Sequence, residues 1–170
     1  MSDVTNETTS PWDAMPLDRE VVMARVVDAD PDTAFRAWTD PDQIVQWFGP
    51  AGFEIRTQEI DIRVGGVWRF EMIAPDGTVF PNRMTFLRIE ASRVIEFIHG
   101  SDKDNDPDAF RMLVTFDPQD NGKTVLTLRQ MHPTAARRAI VIGFGAVEYG
   151  VQTWNKFAAF VAEKAQVAAE

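Results

Sequence analysis

The sequence predicts an α+β domain in which a curved antiparallel sheet of six to seven strands wraps around a long C-terminal helix. Three observations predict it. Between Phe53 and Met131, segments of alternating polar and apolar residues follow one another, separated by turn signals such as Gly65-Gly66, Asp76-Gly77 and Asn121-Gly122. From about Thr134 to Ala165 the apolar period changes to that of a helix. A sheet of hairpin-joined strands must cover its apolar face, and this helix is the one candidate to do so.

The elements follow in order. Met1 to about Pro16 is polar and broken by Pro11 and Pro16, which predicts a disordered tail ahead of a single domain over 17–168; Trp12 is a lone aromatic within it. Glu20 to Val27 reads as a strand. Asp30 is placed to cap a short helix with Pro31 at its first position, and Phe35 and Trp38 share a face of it. Thr39-Asp40-Pro41 ends that helix and starts a second, where Ile44, Trp47 and Phe48 share a face and Gly49-Pro50 closes the pair.

Six strands are expected next. Phe53 to Ile62 is the first, and Val67 to Ile73 follows with Trp68, Phe70 and Met72 on one face. Val79 to Ile89 places Asn82, Met84 and Phe86 together, and Val94 to His99 comes after a short turn. Beyond an acidic loop at Gly100 to Pro107, Phe110 to Phe116 alternates with Phe110, Met112, Val114 and Phe116 inward, and Thr124 to Met131 is last. In the final helix Ile140, Phe144, Val147, Val151, Trp154, Ala158 and Val161 form the expected buried stripe. Gly143, Gly145 and Gly150 are unusual there, each costing about 1 kcal/mol relative to Ala. They imply a bend or the close approach of another element. A strongly bent sheet around a helix leaves a cavity at one end, which the two short helices can close.

Composition narrows the function. The 170 residues carry a formal charge of -9, which a phosphate backbone or anionic membrane would repel. There is no Cys, so thiolate chemistry, disulfides and Cys-based metal sites are excluded. His99 and His132 are the two histidines, and neither is surrounded by residues at metal-ligand spacing. No signal peptide and no apolar run of membrane-spanning length is visible, so the expectation is a cytoplasmic protein, monomer or homodimer, without cofactor, metal, nucleic-acid partner or membrane insertion. Twelve Phe and five Trp against a single Tyr make the aromatic content mainly apolar, as a packed core or an apolar cavity requires.

Four segments carry a resemblance: WTDPDQIVQWFGP (Trp38 to Pro50), DIRVGGVWRFEM (Asp61 to Met72), PDGTVFPNRMTFLRIEASRVIEFIHG (Pro75 to Gly100) and AVEYGVQTWNKFAAFVAE (Ala146 to Glu163). Together they resemble the START-like (SRPBCC) superfamily, and within it the bacterial branch named after the C-terminal domain of the activator of Hsp90 ATPase. The resemblance runs from about Leu17 to Glu163. It implies the helix-grip fold and a deep hydrophobic cavity, in a superfamily of lipid carriers, aromatic polyketide cyclases and natural-product binders. The branch name refers to a co-chaperone whose main activating region lies in a separate N-terminal domain, for which 170 residues leave no room.

The candidate ligand-binding residues follow. Trp68, Phe70, Met72, Met84, Phe86, Met112, Val114 and Phe116 are expected on the helix side of the sheet, as cavity wall or as plain core. Trp38, Trp47 and Phe48 are expected to form the lid or to pin the short helices. Phe144 and Glu148 are expected to line the cavity from the helix, with Gln152 one turn further on. Glu148 matches the Glu of an AVE-x-G pattern in the resembling branch and is the candidate polar anchor or acid–base group, a carboxylate desolvated there unless Arg83 or Arg129 reaches it. Asn82 is a second candidate polar group on an apolar face. Gly65-Gly66 joins two strands and lacks the context of a phosphate loop, and Asp61 and Arg63 beside it are expected to pair with each other as structural residues. His99 and His132 read as surface or strand-end residues, with general-base catalysis as the alternative. The leading reading is a binder of a hydrophobic or aromatic small molecule. A cofactor-free cyclase- or hydrolase-type enzyme using a cavity Glu or His, and a chaperone-related interaction domain, are the alternatives.

Overall fold

Among the described residues the first and last strands pair with each other, and this closure organises everything else. The computed structural model describes residues 17–170; the expected tail, with Trp12, lies outside the described residues. Strands β1 (Glu20–Val27), β2 (Glu54–Ile60), β3 (Val67–Ile73), β4 (Val79–Glu90), β5 (Val94–Gly100), β6 (Phe110–Pro118) and β7 (Thr124–Met131) form one antiparallel sheet in the order β1-β7-β6-β5-β4-β3-β2. β1 and β2, neighbours in sequence, are therefore opposite edges. The connection between them must cross the concave face, and it does so as two short helices, α1 (Pro31–Thr39) and α2 (Pro41–Trp47). The sheet is curved around the C-terminal helix, the helix-grip arrangement that the sequence predicts.

Local chemistry sets both helix starts. The Asp30 carboxylate accepts from the Thr33 amide at 2.8 Å, which holds its pKa below the usual value, and Pro31 occupies the first helical position. Asp40 ends α1 and caps α2, accepting from the Asp42 amide at 2.8 Å. Trp38 and Trp47 emerge from these helices almost fully buried. The Trp47 indole donates to the Ala37 carbonyl at 2.9 Å, so the lid is tied to itself.

Period-two alternation sorts the sheet into two faces. The inner face carries Trp68 and Phe70, Met84 and Phe86, Ile95 and Phe97, Met112, Val114 and Phe116, and Leu126 and Leu128, all buried. Each such side chain contributes roughly 1.5 to 3 kcal/mol by leaving water. The outer face is ionic: Asp102 bridges Arg69 at 2.7 Å and Arg83 at 2.8 Å, Arg111 pairs with Glu96, and Arg129 pairs with Glu20 at 2.7 Å. Asp61 and Arg63 pair at 2.7 Å, as their spacing predicts.

The C-terminal helix corrects the expectation of one continuous element. It is two helices, α3 (Ala135–Gly143) and α4 (Ala146–Ala169), separated at Gly145, whose φ of 85° is open to glycine and costly for other residues. Gly150 supplies the close approach: an added Cβ would stand 3.1 Å from Met23 Cε. The break also shifts the phase of the buried stripe. Ile140, Phe144 and Val151 are 48%, 76% and 45% exposed, whereas the buried face of α4 runs through Thr153, Trp154, Phe157 and Val161. Ile140 and Phe144 precede the restart of the helix, and within α4 the buried face is turned from Val151 toward Thr153 and Phe157.

Candidate functional site

Where α4 begins, it stands away from the sheet and leaves a chamber of about 200 Å³. Its wall is mostly aromatic. Trp38 and Phe48 come from the crossing helices, Phe97, Phe110 and Met112 from β5 and β6, and Trp154 from α4. Gly49, Pro50 and Met72 complete the side toward the mouth, and Ala146 and Gly150 keep the helix side thin. A wider apolar groove of about 530 Å³ adjoins it, sharing Pro50, Met72, Ala146 and Tyr149 as common wall and continuing along Phe53, Phe80, Val141 and Phe144. The segment after α2 is tied to α4. Lys156 Nζ donates to the Gly49 carbonyl at 3.0 Å, and the Ala51 amide donates to Gln152 Oε1 at 3.2 Å. Burial lowers the Lys156 pKa.

Four side chains bring polarity into the chamber: His99, Gln130, Tyr149 and Thr153. The Thr153 hydroxyl is committed to the Tyr149 carbonyl at 3.1 Å. His99 is held on one side by Asn82, with Nε2 and Oδ1 2.9 Å apart, and the Asn82 amide nitrogen donates to the Phe80 carbonyl at 2.8 Å. The imidazole packs against Phe110 with ring centroids 5.0 Å apart, and burial pulls its pKa down to about 4. It keeps accessible surface because it borders the cavity. On the far side of Phe110, at 5.3 Å, lies His132, 1% exposed and with neither ring nitrogen hydrogen-bonded among the described residues. Burial, with Arg137 and Arg138 nearby, also pulls His132 down to about 4. The Trp38 and Trp154 indole N–H groups are buried without a partner among the described residues, their rings 5.6 Å apart.

The candidates from the sequence separate into three groups. Trp38, Phe48, Met72 and Met112 line the chamber, and Phe144 lines the outer groove, 76% exposed. Trp47, Trp68, Phe70, Met84, Phe86, Val114 and Phe116 are buried but do not line it, being the packing behind the wall. Asn82 is buried and reaches the chamber through His99. The placement of Glu148 is corrected. It sits exposed in the first turn of α4, folded back so that Oε2 is 3.6 Å from the Cβ position of Gly145, and it does not line the chamber. Neither arginine reaches it, since Arg83 pairs with Asp102 and Asp104 and Arg129 with Glu20. His99, read as a strand-end residue, turns out to be the central polar group. Its signal was alternation, for His99 shares the inward phase of Ile95 and Phe97 and lies opposite Met84 in the ladder.

Among the described residues no cluster of His, Asp or Glu could hold a metal ion, and no helix is long and apolar enough to cross a membrane. The sheet and the helices it wraps define a helix-grip protein. The family profile described as Activator of Hsp90 ATPase homolog 1-like protein matches residues 28–162, so the chain belongs to that family, within the START-like superfamily. The fold of this family is one used for ligand binding. No curated protein matches the sequence. Among solved structures, a protein from Arthrobacter aurescens superposes with a TM-score of 0.79 at 22% identity, covering 86% of this chain and 87% of that one. A protein from Chromobacterium violaceum gives 0.73 at 24% identity over 84% and 97% of the two chains. The AHSA1 protein of Silicibacter pomeroyi gives 0.69 at 17% identity over 85% and 99%. These likenesses show the fold.

Proposed function

We propose that this protein binds a small hydrophobic or aromatic molecule in the chamber between the sheet and α4, as a cytoplasmic monomer or homodimer that needs no cofactor. The observation that supports the reading is a largely aromatic-walled space of about 200 Å³ among the described residues, adjoining an apolar groove of about 530 Å³. Cores close-pack, so space of this kind at the start of a helix is kept by sequence features. Ala146, whose side chain ends at its methyl group, lines it from α4. A few polar groups set into an apolar wall are what orient a ligand.

The enzyme alternative needs an acid or base inside the chamber. His99 is the one titratable group placed there with a shifted pKa, and at about 4 it is a weak base near neutral pH. That favours a recognition role. The interaction reading draws on the exposed apolar rim, where Phe144 and Phe80 are 76% and 46% exposed. In the binding reading the same residues form the entrance. Native mass spectrometry of freshly purified protein tests this, together with tryptophan fluorescence during titration with alkylbenzenes, since Trp38 and Trp154 border the chamber. The expected result is a co-purifying small molecule or saturable quenching, unaltered in Glu148→Gln. Absence of both overturns the reading.

A further inference from the structure

We propose that the chamber selects an uncharged aromatic alcohol, whose hydroxyl donates a hydrogen bond to His99 Nδ1 while its ring packs among Trp38, Phe97, Phe110 and Trp154. This rests on the binding reading above and specifies the ligand's chemistry.

The argument starts at Phe80. Its carbonyl accepts from the Asn82 amide nitrogen at 2.8 Å, which orients the Asn82 side chain and leaves Oδ1 toward His99. An amide oxygen can only accept, so the His99 nitrogen 2.9 Å away, Nε2, carries the hydrogen. In a neutral imidazole the other nitrogen is then a bare acceptor. Burial keeps the ring neutral, with a pKa of about 4. Nδ1 has no partner among the described residues, and His99 lines the chamber.

What the wall lacks at that point is a donor. A carboxylate would set lone pairs against a lone pair. A ligand ammonium would find no carboxylate among the residues of the chamber wall. A hydroxyl fits. Size agrees: apolar cavities of about 150 Å³ accept benzene, so a chamber of about 200 Å³ takes one substituted ring. Further apolar atoms would run into the outer groove of about 530 Å³.

The test uses 4-butylphenol, 4-butylanisole and 4-butylbenzoate, which share ring and tail and differ at the polar end, with affinities measured by calorimetry at pH 7.5. The phenol should bind about tenfold tighter than the methyl ether, the size of one buried hydrogen bond, and the benzoate should bind weakest. In His99→Phe the preference for phenol over ether should fall to within about twofold while the ether still binds. In the wild type, long-range nitrogen NMR should show His99 as the Nε2–H tautomer, with the Nδ1 resonance moving on addition of the phenol and not of the ether, a readout that does not depend on the variant folding. If ether and phenol bind alike, if the carboxylate binds best, or if His99 is the Nδ1–H tautomer, the hydroxyl rule is overturned and the binding reading stands. If none of the three binds, both fall.

Discussion

Lowering the pH from 7 to 5 should destabilise this protein by an amount that two residues set. Both histidines sit in sites that disfavour the charged ring, and burial brings each from 6.5 to about 4. For His132, Arg137 and Arg138 add to the effect. The folded pKa is below the unfolded one, so the unfolded chain takes up protons first. Stability is complete above about pH 6.5, falls as pH drops toward 4, and levels off below that. At pH 5 the unfolded histidine is nearly all protonated and the folded one mostly neutral, a difference of about 2 kcal/mol per residue and about 4 kcal/mol for the pair. That is a large share of the roughly 5 to 15 kcal/mol typical of a domain. The window is clean because the chain has no Cys and no third His. The carboxylates with lowered values act below it: Asp106, for instance, is pushed up by burial but carried down to about 2 by the Ser101 hydroxyl and amide, the Asp108 amide and Lys103, so its contribution is lost only as pH falls below 3.8. Urea titrations at pH 7 and pH 5 at constant ionic strength measure the drop. His132→Phe, which fills the same apolar site beside Phe110, should halve it. Equal unfolding free energies at the two pH values would show that the histidines are not buried as described.

Trp154→Ala should cost about 3 to 5 kcal/mol in urea titration, because the ring is 6% exposed and packs within 6.5 Å of Trp38, Trp47 and Phe157; a loss below about 1 kcal/mol would contradict its burial. Two glycine substitutions should separate. Gly145→Ala should destabilise by about 1 to 2 kcal/mol because φ is 85°. Gly150→Ala should stay within about 1 kcal/mol of neutral, the gain in helix propensity offsetting the displacement of the flexible Met23 tip at 3.1 Å. A cost-free Gly145→Ala would mean that α3 and α4 are one continuous helix.

Most of the sheet was legible because its signals are local. Trp68-Arg69-Phe70 and Met112-Leu113-Val114 alternate cleanly, and Asp76-Gly77 and Asn121-Gly122 mark the turns, with Gly77 and Gly122 at φ of 86° and 77°. The pairing of β1 with β7 was not legible in that way, since strands a hundred residues apart carry no mutual mark in sequence. The helix break was half legible. Three glycines signalled a bend or a close approach, but not that Gly145 supplies the first and Gly150 the second.

The site was the least legible part, for a reason specific to cavities. Alternation reports which face of a strand a residue is on, so it named Trp68, Phe70, Met84, Phe86, Val114 and Phe116 as inward, and they are. It does not report where along that face the opposing helix stands away. That depends on Gly145 redirecting the chain and on α4 closing down through Trp154, Phe157 and Val161. The chamber therefore falls at the open end, beside Phe97, His99, Phe110 and Met112, and the residues farther along the same strands become packing. Glu148 was misplaced by the same mechanism: with α4 restarted after Gly145, its first turn points that carboxylate outward, and the polar end of the chamber passes to His99, oriented from the neighbouring strand by Asn82.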